Sequence, residues 1–414
     1  MNPVTGKESI ELRGEDIICF ANDWNSDPLS KKHIMLRLAR HNHILWVNSI
    51  GTRNPRPSVR DLRRAFSKAR DFLRGSEPVQ ENITVFSPLA IPFHGNPVAR
   101  RLNRVWLSWS LRRVMRRLKF RRPILWTFLP NTADIVGTLG EHLVIYHCVD
   151  EFSEFTGTNK AALLEAEKRL IRAADAVVVS SEQLYESKRR HNPNTFLVTH
   201  GVEVEHFRKA CNEETEVPAA LRNLPQPVIG FFGLVADWID LDLIRALALA
   251  RPRWSFVLIG KLDTAVDQVR GLPNVHLLGA TTYSQLPSYC KGFNVALLPF
   301  RVNELTIAAN PLKLREYLAA GLPVVAAPIP EACRLEPLVA VAKTADQFVS
   351  AIEAALARGA GSRLETSLAM DTESWDEKVL DLCGIIADTR QGRAYTDPVR
   401  GAVNVGAERV KASP

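Results

Sequence analysis

Cysteine is sparse in this 414-residue chain. Its six residues (Cys19, Cys148, Cys211, Cys290, Cys333, Cys383) stand singly, with no Cys-x-x-Cys pair. That excludes a clustered zinc site or a disulfide framework and fits a reducing compartment. Long apolar runs are also missing, since no stretch approaches the ~20 residues a spanning helix needs. The opening MNPVTGKESIELRGED is polar and has no apolar h-region, so no secretory leader is expected. No short-period repeat runs through the chain. What remains is globular in composition, 46% hydrophobic and 24% charged. The length suggests two to three domains at roughly 100–200 residues each.

The net charge of +8 is unevenly placed. Residues 1–200 hold 31 Lys and Arg against 20 Asp and Glu, while the rest of the chain is slightly acidic. A basic half of this kind suits phosphate: nucleic acid, anionic lipid or a phosphorylated substrate. No nucleic-acid recognition motif accompanies it, so nucleic acid is not expected as a partner.

Short apolar runs alternate with helical patterns along the whole chain. IICF, HILWVN, ITVFS, ILWTF, LVIYH, AVVVS and TFLVT mark the first half; VIGFF, SFVLIG, NVHLLG, FNVALLPF, PVVAAP and LVAVA mark the second. Apolar runs separated by helices predict parallel sheets covered on both faces, an α/β chain of two successive units. The acidic, proline-punctuated stretch 208–226 reads as a linker between a first domain, 1–207, and a second, 227–370. A helix over 371–389 and an unstructured tail over 390–414 complete the expected order.

The second unit opens with strand VIGFF, then Gly233, then a helix, a geometry in which backbone can approach a phosphate. Asp240 and Asp242 form an Asp-x-Asp, but they read better as a helix N-cap and a first-turn acid than as metal ligands. In NPLKLREYLAAG, Asn310 is an N-cap candidate, Pro311 fits the first helical position and Gly321 the C′ position. Lys313 lies in the first turn, where the helix dipole disfavours a cation unless an anion is present. Glu316 is one turn further on the same face. The bland alternative is an exposed ion pair.

The segment NPLKLREYLAAGLPVVA resembles the nucleotide-binding segment of GT-B-fold glycosyltransferases, the group 1 set. IGFFGLVADWIDLDLI, VIYHCVDEFSEF, AADAVVVSSEQL with THGVEVEHF, and DWNSDPLSKKHIMLRLARHNHILWVNSIGTR resemble bacterial polysaccharide-assembly members of that set, in the same order, over residues 15–388. The resemblance implies two Rossmann-like domains facing a central cleft. It implies that Glu316 holds the donor's ribose, that Lys313 and the amides near Asn310–Leu312 meet the diphosphate, and that Gly233 approaches it. No cofactor or metal is implied; the nucleotide sugar, a UDP-sugar first, is a substrate. Many retaining members carry a second glutamate eight residues earlier. Here that position is Ala308, and Glu304 lies twelve before, so Glu304 is the candidate to reach the donor sugar and the stereochemical course stays open.

A carboxylate from the first domain is needed to deprotonate an acceptor hydroxyl. Asp150, after strand LVIYH, is the candidate; Glu151, His94 and Asp237 are held as alternatives or acceptor-side residues, and His147 as a partner for Asp150. The run 99–122 has no acidic residue and interleaves tryptophans with arginines, which suits an anionic membrane surface. In this family setting a polyprenyl-diphosphate-linked saccharide acceptor, and a place on the cytoplasmic face of the membrane, are expected. The alternatives are a sugar-nucleotide epimerase on the same fold and a non-catalytic nucleotide-sugar-binding relative.

Overall fold

A computed structural model describes residues 11–26, 28–50, 70–91, 95–358 and 363–392. His94, most of the basic stretch 53–74 and the tail beyond 392 lie outside the described residues. The chain divides into two compact units. The first holds the described residues through Ser26, Lys31–Val198 and the chain from Val379; the second is chiefly Thr199–Lys378.

The first unit is built on an eight-stranded sheet. Its strands are β1 (Asp16–Phe20), β2 (His43–Val47), β3 (Ser76–Gln80), β4 (Ile83–Phe86), β5 (Ile124–Thr127), β6 (Leu143–Cys148), β7 (Ala176–Val179) and β8 (Thr195–Leu197). Their order is β3-β4-β2-β1-β5-β6-β7-β8. All pairs are parallel except β3 with β4. Ile17 on β1 pairs with Ile44 on one side and Ile124 on the other, and all three are essentially inaccessible. The apolar runs form these strands because β-branched and aromatic residues pack well on a surface covered from both sides. The sequence SEPVQ of β3 has no such pattern. It is an exposed edge strand carrying Pro78, where a missing N–H costs little.

The second unit has six strands: β9 (Val228–Phe232), β10 (Ser255–Ile259), β11 (Val275–Gly279), β12 (Val295–Leu298), β13 (Val324–Ala326) and β14 (Val339–Val341). All are parallel, in the order β11-β10-β9-β12-β13-β14. The expected boundary at 207 shifts to Val198/Thr199, and 208–226 is not a bare linker. Helices Val204–Arg208 and Ala219–Arg222 occupy the region. Phe207 stacks on Phe232 with centroids 6.0 Å apart, and Leu221 is 1% exposed in the second core. Burying two such side chains contributes about 3–6 kcal/mol, which is why the segment folds with the second unit.

The segment expected as a closing helix is a short turn, Asp371–Glu373, followed by the helix Trp375–Gln391. From Val379 that helix counts with the first unit. There Arg390 pairs with Glu15 at 2.8 Å and meets His142 Nε2 at 3.0 Å.

Candidate functional site

In an open parallel sheet a ligand crevice forms at the carboxyl ends of strands where the strand order reverses. Each unit has one such point: between β1 and β5 in the first, between β9 and β12 in the second.

In the second unit β9 ends at Phe232 and runs into Gly233, whose φ of +142° is one that L side chains rarely adopt. The Gly233 N–H donates to the Ile259 carbonyl at 2.8 Å. A Cβ on Gly233 would lie 2.9 Å from Lys313 Cε, and one on Gly260 would lie 1.8 Å from the Gly233 carbonyl oxygen. Only glycine at both positions lets the Lys313 stem cross the strand end. The loop 234–240 is tied to the loop after β12 by Asp240 N–H to the Pro299 carbonyl at 2.7 Å and Arg301 N–H to the Trp238 carbonyl at 2.8 Å. Asp240 caps the helix Leu241–Ala250 through the Leu243 N–H, and Asp242 lies in its first turn. Their capping reading therefore stands, and Arg301 lies 3.1 Å from Asp242.

The helix Leu312–Ala319 carries the two residues that sequence reading brought forward. Lys313 Nζ lies 4.0 Å from Glu316 Oε2 and 6.0 Å from the centre of the Phe232 ring. The Lys313 side chain is 24% exposed and that of Glu316 9%. The helix ends as expected: Gly321 has φ +70°, its N–H bonds the Leu318 carbonyl and the Leu322 N–H bonds the Tyr317 carbonyl, a Schellman closure. Its start is a correction. Pro311, not Asn310, holds the cap position, and no side chain caps it. Asn310 is drawn elsewhere because the fully buried Arg315 needs acceptors. Arg315 donates to Asn310 Oδ1 at 2.9 Å, to Glu331 at 2.8 Å and to Glu373 at 2.7 Å. The Asn310 carbonyl also accepts from His200 Nδ1 at 2.8 Å. Asn310 thus positions the loop, and the diphosphate amides left to the helix are those of Leu312 and Lys313. The Phe232 N–H donates to the Tyr317 hydroxyl at 3.0 Å, fastening the helix to the end of β9.

Glu304 is exposed at the first position of the helix Glu304–Ala308, which Asn303 and Thr306 cap reciprocally. Asp237 is likewise exposed, and Ala308 is 3% exposed. The structure does not gather Glu304 and Asp237 into the Lys313–Glu316 cluster. Arg315, Tyr317 and Gly260 went unnoticed in the sequence, because nothing in the helical spacing separates a buried arginine from a solvated one.

In the first unit Asp150 stands two residues beyond β6, half-buried. Burial pushes its carboxyl up to about 6; Lys31 opposes the rise and Glu151 adds to it. Lys31 comes from the helix Ser30–Leu38, with Nζ 5.8 Å from the Phe128 ring centre and 5.6 Å from that of Phe152. His147 does not pair with Asp150; its ring stacks on Phe128 at 4.8 Å. Glu151 is committed to structure. It accepts from Lys188 at 2.9 Å and from Ser153 at 2.9 Å. Lys188 also meets Glu167 at 2.8 Å, and Tyr146 donates to Glu167 at 2.6 Å.

The basic run forms the 22-residue helix Pro97–Leu118, capped by Asn96. Ala99, Asn103, Leu107, Leu111 and Val114 face the core, so Val114 leaves the outer face on which the sequence pattern had placed it. Val98 (68% exposed), Leu102 (55%), Val105 (67%) and Trp109 (50%) form an outward stripe. Trp106 stacks on Trp109 with centroids 5.4 Å apart. Arg100 is not part of the outer face; it forks onto Asp134 at 2.9 and 3.0 Å, and Arg112 donates to the Thr138 carbonyl at 2.8 Å. Among the described residues no helix is long and apolar enough to cross a membrane.

Residues 226–358 match the family model "Glycosyl transferases group 1". A Bacillus subtilis protein, TuaH, assigned to teichuronic acid biosynthesis as a glycosyltransferase, is 27% identical over 234 residues, covering 52% of this chain and 58% of that protein. The match thus spans little more than half of that relative's length. Among solved structures, sucrose-phosphate synthase from Thermosynechococcus elongatus superposes with a TM-score of 0.65 at 16% identity, over 91% of this chain and 100% of that one. An Escherichia coli trehalose-6-phosphate structure bound with UDP-2-fluoro glucose gives 0.62 at 13% identity, over 91% and 99%. HepE from Anabaena in complex with UDP-glucose gives 0.62 at 13%, over 90% and 99%. At these identities the structures speak for the fold alone. The second unit is a group 1 glycosyltransferase domain, and the chain that carries it has the GT-B fold.

Proposed function

We propose that the chain is a glycosyltransferase of polysaccharide synthesis, moving a sugar from a nucleotide-sugar donor to a lipid-linked saccharide acceptor. One observation carries the donor half. Lys313 and Glu316 stand one turn apart at the β9/β12 switch point, beside Gly233, inside the segment that matches the group 1 family. Lys313 and the Leu312 and Lys313 amides suit a diphosphate, and a mostly buried carboxylate one turn deeper suits paired ribose hydroxyls. The UDP-sugars named with the Escherichia coli and Anabaena neighbours make a UDP-sugar the first donor to try. Neutralisation of the leaving diphosphate falls to Lys313 and these amides, so this reading expects turnover to survive a chelator.

The first unit supplies the acceptor side. Asp150 is the base: its carboxyl is raised toward neutrality by burial, where it is ionised above about pH 6 and still a competent proton acceptor. The acceptor's lipid confines it to a bilayer, and the outward stripe of the helix Pro97–Leu118, with exposed Arg101, Arg104, Arg113, Arg116 and Arg117 beside it, suits an anionic membrane surface on the cytoplasmic side.

The test is calorimetry with UDP together with turnover of a UDP-sugar in the Asp150→Asn variant. UDP affinity should be unchanged while turnover falls 10²–10⁴-fold. Near-normal turnover would move the base to Glu304 or Asp237, the acidic candidates that the structure leaves exposed.

A further inference from the structure

Lys31 shares the β1/β5 switch point with Asp150, and no sequence pattern singled it out. It is 6% exposed. A lysine so enclosed is ordinarily paired with a carboxylate, as Lys188 is with Glu167 and Glu151 in the same unit. Lys31 is not: among the described residues no carboxylate oxygen lies within 4.0 Å of its Nζ. The faces of Phe128 and Phe152 offset part of its desolvation through cation–π attraction. Asp150 supplies the opposing charge from beyond ion-pair distance, and Phe152, two residues from Asp150, places its ring against the lysine.

A cation and a carboxylate held apart in this way leave room for one oxygen between them. That oxygen must accept from the ammonium and donate to the carboxylate. A phosphate cannot donate at neutral pH and would be repelled by Asp150; an alcohol does both. We propose that Lys31 and Asp150 form a couple that receives a hydroxyl of the acceptor, with the Nζ donating a hydrogen bond to the alcohol oxygen and the carboxylate taking its proton. Lys31 is then a catalytic residue alongside the base, a role that rests on the transferase reading above. In the step, the acceptor O–H proton passes to Asp150. The oxygen's electron pair forms a bond to the donor's anomeric carbon, and the bond from that carbon to the nucleoside diphosphate breaks, its pair leaving with the diphosphate. Lys31 keeps its proton throughout.

The surroundings support this division. Cys19 from β1 and Cys148 from β6 face the couple, and burial pushes both thiols up, so they stay neutral. Glu151 is held by Lys188 and Ser153. Burial pushes the Lys31 ammonium down while Asp150 holds it up.

The experiment follows the Asp150 carboxyl in the full chain by carbon NMR with labelled aspartate, the signal being the one lost in Asp150→Asn. Release of UDP from UDP-glucose, with water as acceptor, is measured on the same samples. Removing the cation in Lys31→Met, or in Lys31→Gln where the first does not fold, should raise the carboxyl midpoint by about one pH unit or more. It should cut UDP release at pH 7 on the order of 10²-fold, with the acid limb moving in step. UDP affinity should not change, and Lys31→Arg should restore the midpoint. An unmoved midpoint overturns the couple. So does a midpoint that moves while UDP release stays at the wild-type rate, or a wild type that binds UDP but never releases it from UDP-glucose. A wild type that fails to bind UDP overturns the donor reading instead, and the carboxyl titration still decides whether the couple exists.

Discussion

Two lysines hold the same station in the two units. Each is the second residue of a helix at a switch point, each lies over phenylalanine rings, and each faces a carboxylate. They differ in what the carboxylate does. Glu316 stands 4.0 Å from Lys313, on the same helix, and the lysine side chain is about a quarter exposed. Asp150 comes from another element and stays beyond ion-pair reach of a lysine that is 6% exposed. A cation already near its partner and partly wet suits an anionic group that arrives and leaves. A buried cation opposed across a gap suits a reaction that shifts a proton. One fold grammar thus gives a binding site in one unit and a site of proton chemistry in the other.

The comparison is broken most severely by removing the frame beneath one site. Arg315 is buried between Glu331 and Glu373, and cutting it to methionine leaves two enclosed carboxylates short of a partner. The second unit should lose about 3–5 kcal/mol, read by thermal or urea unfolding. Burial would raise both carboxyls, yet both are held below their ordinary range: Arg315 is the first charge lowering each, helped by Arg334 at Glu331 and Lys378 at Glu373. Their folded values lie below the unfolded ones, so this stability is present at neutral pH and fades as pH falls through the carboxylate range. Wild type and variant should therefore converge below about pH 4. A constant difference down to pH 3 would show that Arg315 acts by packing alone.

The next effect sharpens the contrast between the two lysines. A charge-assisted hydrogen bond is worth about 1.5–3 kcal/mol, so Glu316→Ala should weaken UDP binding about 10–100-fold in calorimetry with little change in unfolding temperature. Substitutions at Lys31 should leave UDP affinity alone. If Lys31→Met weakens UDP as much as Glu316→Ala, the division of labour collapses and both lysines serve one anion.

A smaller effect reads Asp150 through stability. Its folded carboxyl, at about 6, lies above the unfolded value of 3.8. A raised carboxyl favours the protonated folded state, so folding stability falls as pH rises from about 4 to 6 and the penalty persists above that. Asp150→Asn removes it. The variant should be more stable than wild type by on the order of 1–3 kcal/mol at pH 7 and equal to it below about pH 4, while its turnover collapses. A residue that costs stability where it sits is what a site group is expected to be. An asparagine variant less stable at pH 7 would recast Asp150 as a structural carboxylate like Glu167.

Much of this was legible in the sequence because apolar runs carry their own message. Thirteen of the strands coincide with runs such as LVIYH and VALL, and β3 escaped only because SEPVQ is an exposed edge with nothing to bury. Gly233, Lys313, Glu316 and Gly321 were readable since each is an anomaly for its place: a glycine at a strand end, a cation at a helix start, a carboxylate one turn on, a glycine at a helix end. Lys31 was not, for KKHIML reads as an ordinary helix start and only the ring faces of Phe128 and Phe152, far away in the chain, show its burial. Asn310 was misread for a related reason. Its capping chemistry is local, but the buried Arg315 outbids the helix for its oxygen. The first-unit boundary erred because 199–222 is polar by composition, and the stacking of Phe207 on Phe232 is visible only in three dimensions.

The smallest effect separates two kinds of arginine on one helix. Val98, Leu102, Val105 and Trp109 recur at spacings of four, three and four, one outward stripe of the helix Pro97–Leu118. On a soluble surface that stripe gains nothing from its exposure, and at a membrane it is buried in the interfacial region. Arg101, Arg104, Arg113, Arg116 and Arg117 are exposed beside it, whereas Arg100 is spent on Asp134, which also receives Arg169 at 2.7 Å. Each exposed arginine near an anionic bilayer contributes about 1 kcal/mol, fading over a Debye length of about 8–10 Å. Arg→Gln changes at 113, 116 and 117 should therefore each cost roughly fivefold in flotation with vesicles containing anionic lipid, and the loss should shrink in high salt. Arg100→Gln should leave vesicle binding unchanged and lower the unfolding temperature instead, because it strips a partner from Asp134. Trp109→Ala should weaken binding without altering its salt dependence. If Arg100→Gln and Arg116→Gln weaken flotation alike, the helix acts through general charge and the outward stripe has no part in docking. If no variant floats differently from wild type, the stripe is an ordinary solvated face.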